Sequence, residues 1–172
     1  MTTIAIIGAG PLGRWLALSA ARAGYRVLLE DVMPAKLALA SQAAAELNSG
    51  QDAVEFVSTI EDAVRNADLA IDCMPDELES KLEILWLLDR MAPPKMVIVM
   101  PTTRLSIADL ASCTYRPDRC IAIAADPRQL VEGKLEEIQL RTTPQTLPEA
   151  SALVTGFWQR LGFTPRVEIA TE

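Results

Sequence analysis

There is no histidine in this chain. That one absence removes every mechanism built on a histidine base, a histidine-containing triad or a histidine metal ligand. Cysteine is scarce too: Cys73, Cys113 and Cys120 form no C-x-x-C pair and no metal-ligand spacing. An odd, unpatterned set fits reduced thiols, and with them a cytoplasmic setting. No apolar run reaches the ~18 residues a membrane helix needs. The N-terminus lacks the basic start and A-x-A site of a secretory leader. Basic residues are in deficit, 16 against 23 acidic, for a net charge of −7. An acidic surface argues against nucleic acid and against anionic membranes as partners.

What is present is apolar material, half of the 172 residues. That supplies a sizeable core and excludes global disorder. Residues 1–172 read as one domain, with no internal repeat and no low-complexity tract. Short β-rich runs alternate with helical patterns. Ile4 to Ile7 is an apolar run that stops at glycine, as a buried strand does. Leu12, Leu16, Ala20 and Ala23 recur at helical spacing, with Gly24 as the C-terminal cap. Val27–Leu29, Val54–Val57, Leu69–Ile71, Met96–Val99 and Cys120–Ala124 read as further strands. The helices between them run from Ala35 to Asn48, from a Thr59/Asp62 capping box, along a Leu78, Leu82, Leu85, Trp86 stripe, and from Ser106 with Asp109. Six β-α steps predict an α/β fold, a doubly wound, mostly parallel Rossmann sheet.

The C-terminal part reads differently. Glu137 to Arg141 alternates strictly, Thr146 and Glu149 cap a helix to Leu161, and Arg166 to Ile169 alternates again. The pattern predicts a β-α-β extension at one sheet edge. Residues 127–133 look most like a linker.

The strongest motif is Gly8-Ala9-Gly10-Pro11-Leu12-Gly13. A lone G-x-G-x-x-G is weak, but this one follows an apolar strand and opens a helix. Gly8 permits the tight turn, Gly10 lets the backbone approach a pyrophosphate, and Gly13 lets helix and strand pack closely. Pro11 suits the first helical position, where its missing N–H costs nothing. The free N–H groups and the helix dipole then face the phosphates. Asp31 ends the second strand, 18 residues past Gly13. A carboxylate there accepts from the adenosine ribose hydroxyls and repels a 2′-phosphate, which selects NAD over NADP. Glu30, next door, points to the opposite face.

Read with four further blocks, these residues resemble the NAD-binding domain of the 3-hydroxyacyl-CoA dehydrogenase family. Residues 4–13 and 23–31 look like its first β-α-β unit. Residues 67–81, ADLAIDCMPDELESK, look like its ADLVIEAVPEDLELK block. Residues 102–111, TTRLSIADLA, look like TSSLSITELA, and 116–122, RPDRCIA, like RPERVIG. By that similarity Asp76 and Lys81 fall on positions that contact the nicotinamide ribose and its neighbours. The plainer reading of both is helix chemistry, an acid at a helix start and a lysine on a solvated face. Thr103 matches a serine near substrate and nicotinamide. Cys73 and Met74 end strand four, at the crevice where such sheets bind ligands.

The departures from the family are in its chemistry. Its LHFFNP run, with the catalytic histidine, is here Ile123-Ala124-Ala125-Asp126-Pro127. Ala124 takes the histidine's place, Asp126 the asparagine's, and Met100-Pro101-Thr102 replaces SNT. Glu137 matches the histidine-orienting glutamate only with a two-residue shift. The arm that holds coenzyme A is cut to residues 48–52, and the helical second domain is not in this chain. Lys81, Tyr115 and Asp126 are what is left as proton acceptors. Three readings follow: an NAD-binding protein without the parent chemistry, an oxidoreductase with a changed catalytic group completed by a second subunit, and an interaction module that no longer binds nucleotide. The intact glycines and Asp31 favour the first. A homodimer is expected, through the helix of residues 77–91 or an edge strand near Ile138, or a protein partner that supplies the helical domain.

Overall fold

The structure, a computed structural model, describes residues 1–46 and 54–170. Its strands are β1 (Thr3–Ile7), β2 (Arg26–Glu30), β3 (Val54–Val57), β4 (Leu69–Asp72), β5 (Val97–Pro101), β6 (Cys120–Ile123), β7 (Glu137–Thr142) and β8 (Thr164–Ile169). They form one sheet in the order β3-β2-β1-β4-β5-β6-β7-β8. The first six are mutually parallel, β7 runs antiparallel to β6, and β8 is parallel to β7. This is the doubly wound Rossmann sheet with a β-α-β edge extension that the alternation predicts. The order reverses between β1 and β4, and their carboxyl ends open the crevice where such folds bind ligands.

The helices are α1 (Pro11–Arg22), α2 (Pro34–Glu46), α3 (Ile60–Val64), α4 (Leu78–Met91), α5 (Ile107–Ser112), α6 (Pro127–Val131) and α7 (Pro148–Arg160). They cover both faces of the sheet. Ile4, Ile6, Val27 and Leu29 face α1 and α7 with Leu16, Phe157 and Trp158. Ala5, Ile7, Leu28 and Ala70 face α3, α4 and α5 with Val64, Leu85 and Leu110. Two caps form as the sequence predicts: Asp62 N donates to Thr59 Oγ1 (3.2 Å), and Asp109 N to Ser106 Oγ (3.3 Å). Gly24 and Gly162 end their helices at φ +84° and +95°.

Five expectations are corrected. The buried stripe of α4 is Lys81, Ile84, Leu85 and Leu88, while Leu78 and Trp86 are exposed. The helix turns this way because its first turn lies over the end of β4, where the buried carboxylate of Asp72 needs a cation (3.3 Å to Lys81 Nζ). Residues 127–133 are no linker: Asp126 Oδ1 accepts from the N–H groups of Arg128 and Gln129 and starts α6, with Pro127 in its first turn. Thr146 does not cap α7. Its hydroxyl accepts from Thr143 N instead (2.9 Å), and Leu147 occupies the cap position without a side-chain bond. Ile138 is not at an edge but fully buried, because β8 pairs outside β7. Glu137 lies exposed on β7 and pairs with Arg166 (2.8 Å), so it orients nothing in the crevice. Leu47, the end of the second helix at Asn48 and the shortened arm at 48–52 lie outside the described residues.

Candidate functional site

The turn after β1 is made of backbone. Gly8 takes φ +99°, a left-handed conformation that side chains resist, and donates its N–H to Glu30 O (2.8 Å). A Cβ on Gly13 would fall 1.8 Å from Gly8 O, so α1 can approach β1 only with glycine there. A Cβ on Gly10 would meet nothing within 4 Å and would project into open space. Gly10 caps α1 without a side-chain bond, and Pro11 follows it. The first-turn amides of α1 are therefore left for an external acceptor.

Asp31 is only 5% exposed. Its Oδ2 accepts from Ala9 N (2.9 Å) and its Oδ1 from Met33 N (2.8 Å), so it ties the glycine turn to the loop after β2. Lys36 Nζ stands 3.7 Å from Oδ2, a neighbour the sequence did not suggest. Burial, and then the charge of Asp31, push the carboxyl of Glu30 up to about 7.

A cavity of about 360 Å³ opens at the crevice, bounded by residues 10–12, 73–76 and 101–102, by Ala125 and by α6. It collects Gly10, Pro11, Leu12, Cys73, Met74 and Asp76 from the sequence-read site. Gly8 and Gly13 lie behind it as the scaffold of the turn. Asp76 Oδ2 accepts from Thr103 N (3.0 Å) and lies 3.5 Å from Thr103 Oγ1, so Thr103 fastens Asp76 from the loop after β5. The other oxygen, Asp76 Oδ1, is buried and has no hydrogen-bond partner among the described residues. Burial pushes the Cys73 thiol far up, with the charge of Asp72 adding to it, so it stays protonated.

The cavity wall that sequence reading missed is α6, which contributes Arg128, Val131 and Glu132. Its signal was there, in an Asp-Pro pair that caps and starts a helix. The three proton acceptors are not gathered at the cavity. Lys81 is fully buried on Asp72, Asp126 caps α6, and Tyr115 is 96% exposed with its N–H on Asp89. Ala124 donates its N–H to Gln139 O across β7 (3.0 Å).

The residues fit a dinucleotide on two observations: the open space above Gly10 beside bare helix-start amides, and the orphaned acceptor of Asp76 in the cavity wall. Comparison with known proteins agrees. Residues 3–165 match the family model "3-hydroxyacyl-CoA dehydrogenase, NAD binding domain". A probable 3-hydroxybutyryl-CoA dehydrogenase of Bacillus subtilis is 31% identical over 70% of this chain and 47% of its own length. An L-carnitine dehydrogenase of Pseudomonas putida is 30% identical over 92% of this chain and 53% of its own. The chain thus spans about half the length of these curated relatives. The crystal structure of (S)-3-hydroxybutyryl-CoA dehydrogenase from Ralstonia eutropha shares the fold, with a TM-score of 0.87 at 22% identity over 99% of this chain and 64% of that one.

Proposed function

The chain belongs to the family of 3-hydroxyacyl-CoA dehydrogenase NAD-binding domains, with NAD as its cofactor, and from there we propose that it binds NAD in preference to NADP and does not oxidise 3-hydroxyacyl-CoA thioesters by itself. The observation that carries the binding is the glycine turn, whose Gly10 leaves open space beside uncapped amides. Residues 10–12 would hold the pyrophosphate, Asp31 the adenosine ribose, and Asp76 the far half of the dinucleotide. Bound NAD supplies a hydride acceptor. The protein must supply a group that takes the hydroxyl proton, worth ~10²–10⁴-fold. Ala124 stands where the resemblance puts that group.

One observation favours the alternative, an NAD-dependent oxidoreductase with a changed catalytic group completed by a second subunit. Asp76 presents a buried, unpartnered oxygen at the crevice, available to a group brought by a ligand or a partner. Calorimetric titration with NAD and NADP tests the main reading. NAD is expected to bind and NADP to bind at least tenfold more weakly, with Asp31→Arg narrowing the gap. Equal affinity, or no heat from either, overturns it. NADH formation from 3-hydroxybutyryl-CoA or L-carnitine by the protein alone would favour the alternative.

The assembly we infer is a homodimer in the cytoplasm; among the described residues, no helix is long and apolar enough to cross a membrane. The second copy would seat on β8, whose outer edge has no partner strand among the described residues. Thr164 N and Ala170 N bond toward β7, so alternation turns the N–H groups of Val167 and Ile169 outward. Antiparallel pairing centred on Val167 would set Arg166 opposite the partner subunit's Glu168, and Glu168 opposite the partner subunit's Arg166. Light scattering is expected to give the dimer mass, and the monomer mass for Arg166→Glu; a monomeric wild-type protein refutes this assembly.

A further inference from the structure

Lys81 is the largest charged side chain that the protein hides completely, and dinucleotide binding as described above leaves it without a task. It projects from the first turn of α4 toward the end of β4. Its Nζ donates to Asp72 O (3.0 Å) and to Met74 O (3.1 Å), and lies 3.3 Å from Asp72 Oδ2. An ammonium has three N–H groups and no acceptor. Two of them are thus given to the carbonyls of one short turn, and the charge faces the Asp72 carboxylate as an ion pair. Asp72 closes the same turn from the other side, with Oδ1 accepting from Met74 N (3.0 Å). Burial pushes the Asp72 carboxyl upward, and the lysine charge opposes that shift.

The turn held in this way forms one wall of the cavity, since Cys73, Met74 and Asp76 all border it. It is also the face on which the glycine turn rests. Cys73 N donates to Ile7 O (2.8 Å), and a Cβ on Gly8 would lie 3.1 Å from Met74 Sδ and 3.4 Å from the Cys73 backbone. Lys81 itself does not border the cavity. An apolar pair of similar volume would suit a buried position at least as well as this ion pair. What an apolar pair cannot do is hold two carbonyl oxygens of the turn.

We propose that Lys81 is a positioning residue for dinucleotide binding: it fixes the 72–76 turn against the glycine turn and does not touch the dinucleotide. The inference rests on the NAD reading above, and it assigns Lys81 a different task from the ribose contact that the resemblance implies.

Two measurements on the full chain test it. The first is the double variant Asp72→Leu/Lys81→Met, which removes both charges together, so that neither is left unpaired, and frees Met74 N and the two carbonyls of the turn. It is expected to melt within a few degrees of wild type and to bind NAD at least tenfold more weakly. Wild-type affinity in a stably folded double variant overturns the inference, because the pair then only fills the core. The second needs no variant and stands even where the double variant fails to fold. Wild-type protein is treated with acetic anhydride, with and without NAD, and Lys81 is followed by mass spectrometry. Resistance to acetylation in both states is expected. A Lys81 that reacts freely and is protected only by NAD is a direct ligand, and the inference fails. Wild-type protein with no NAD affinity at all would instead remove the cofactor reading, and this inference with it.

Discussion

On the β1–β2 side of the cleft the wall is backbone: Gly8 in a left-handed conformation, Gly10 open to the cavity, and Gly13 against the Gly8 carbonyl. On the β4–β6 side it is built by side chains: Asp76 held by Thr103, Met74 over the lysine-pinned turn, and Arg128 and Glu132 from α6. The first wall accepts only glycine at Gly8, where φ is left-handed, and at Gly13, where a Cβ has no room, while Gly10 keeps open the space a dinucleotide would take. The second can exchange residues while the strand ends stay in place. A chain can therefore keep dinucleotide binding and lose or alter the chemistry beside it. The substitutions relative to the family resemblance follow that division. Its glycines are intact, while Ala124 stands where the resemblance puts the catalytic group.

The sharpest way to break this comparison is at Gly13. A methyl group placed 1.8 Å from a backbone carbonyl cannot be accommodated by a side-chain shift. Gly13→Ala is expected to cost about 3 kcal/mol or more, at the upper end for overpacking, and to abolish NAD binding. Urea unfolding with a parallel titration measures both, and wild-type behaviour would show that the backbone wall is not rigid. The side-chain wall should respond less. Asp76→Ala frees Thr103 N and removes the unpartnered oxygen. Loss of that anchor is expected to weaken NAD by about 1–2 kcal/mol, with little change in melting temperature. If Asp76→Ala harms folding as much as Gly13→Ala, the two walls are not built differently after all.

The same division governs what could be read from the sequence. The glycine turn was legible because backbone geometry dictates residue type at fixed spacing. The strand succession was legible because buried parallel strands are short apolar runs bounded by turns. The hydroxyl caps at Thr59 and Ser106 were local enough to see. Thr146 looked the same and is not a cap, because Thr143 N competes for its hydroxyl. The burial of Lys81 was illegible, since periodicity assigns lysine to solvent and only the three-dimensional neighbour, Asp72, reverses that. The α6 wall was misjudged by composition although its Asp126-Pro127 start was in plain view.

The smallest effect expected lies behind the backbone wall, at Glu30. Its carboxyl shares a sheet face with Ile7 and Leu28, and the register sets Glu30 and Asp72 on either side of Ile7. The charged groups of concern are Asp31, its neighbour in the chain, and Asp72 with Lys81 across β1. Burial first and Asp31 second raise Glu30 from 4.5 to about 7. The folded protein thus holds a proton on Glu30 at pH values where the unfolded chain has released it. Stability from this group is complete below about pH 4.5 and is lost as the pH rises through about 7. Glu30→Gln keeps the neutral shape and removes the titration. The difference in melting temperature between variant and wild type is expected to be near zero at pH 4.5. It should grow in favour of the variant up to pH 8. The measurement is the difference, not either curve, because other carboxylates titrate equally in both proteins. A constant offset across that range would mean that the Glu30 carboxyl ionises normally, and that water reaches the back of the glycine turn.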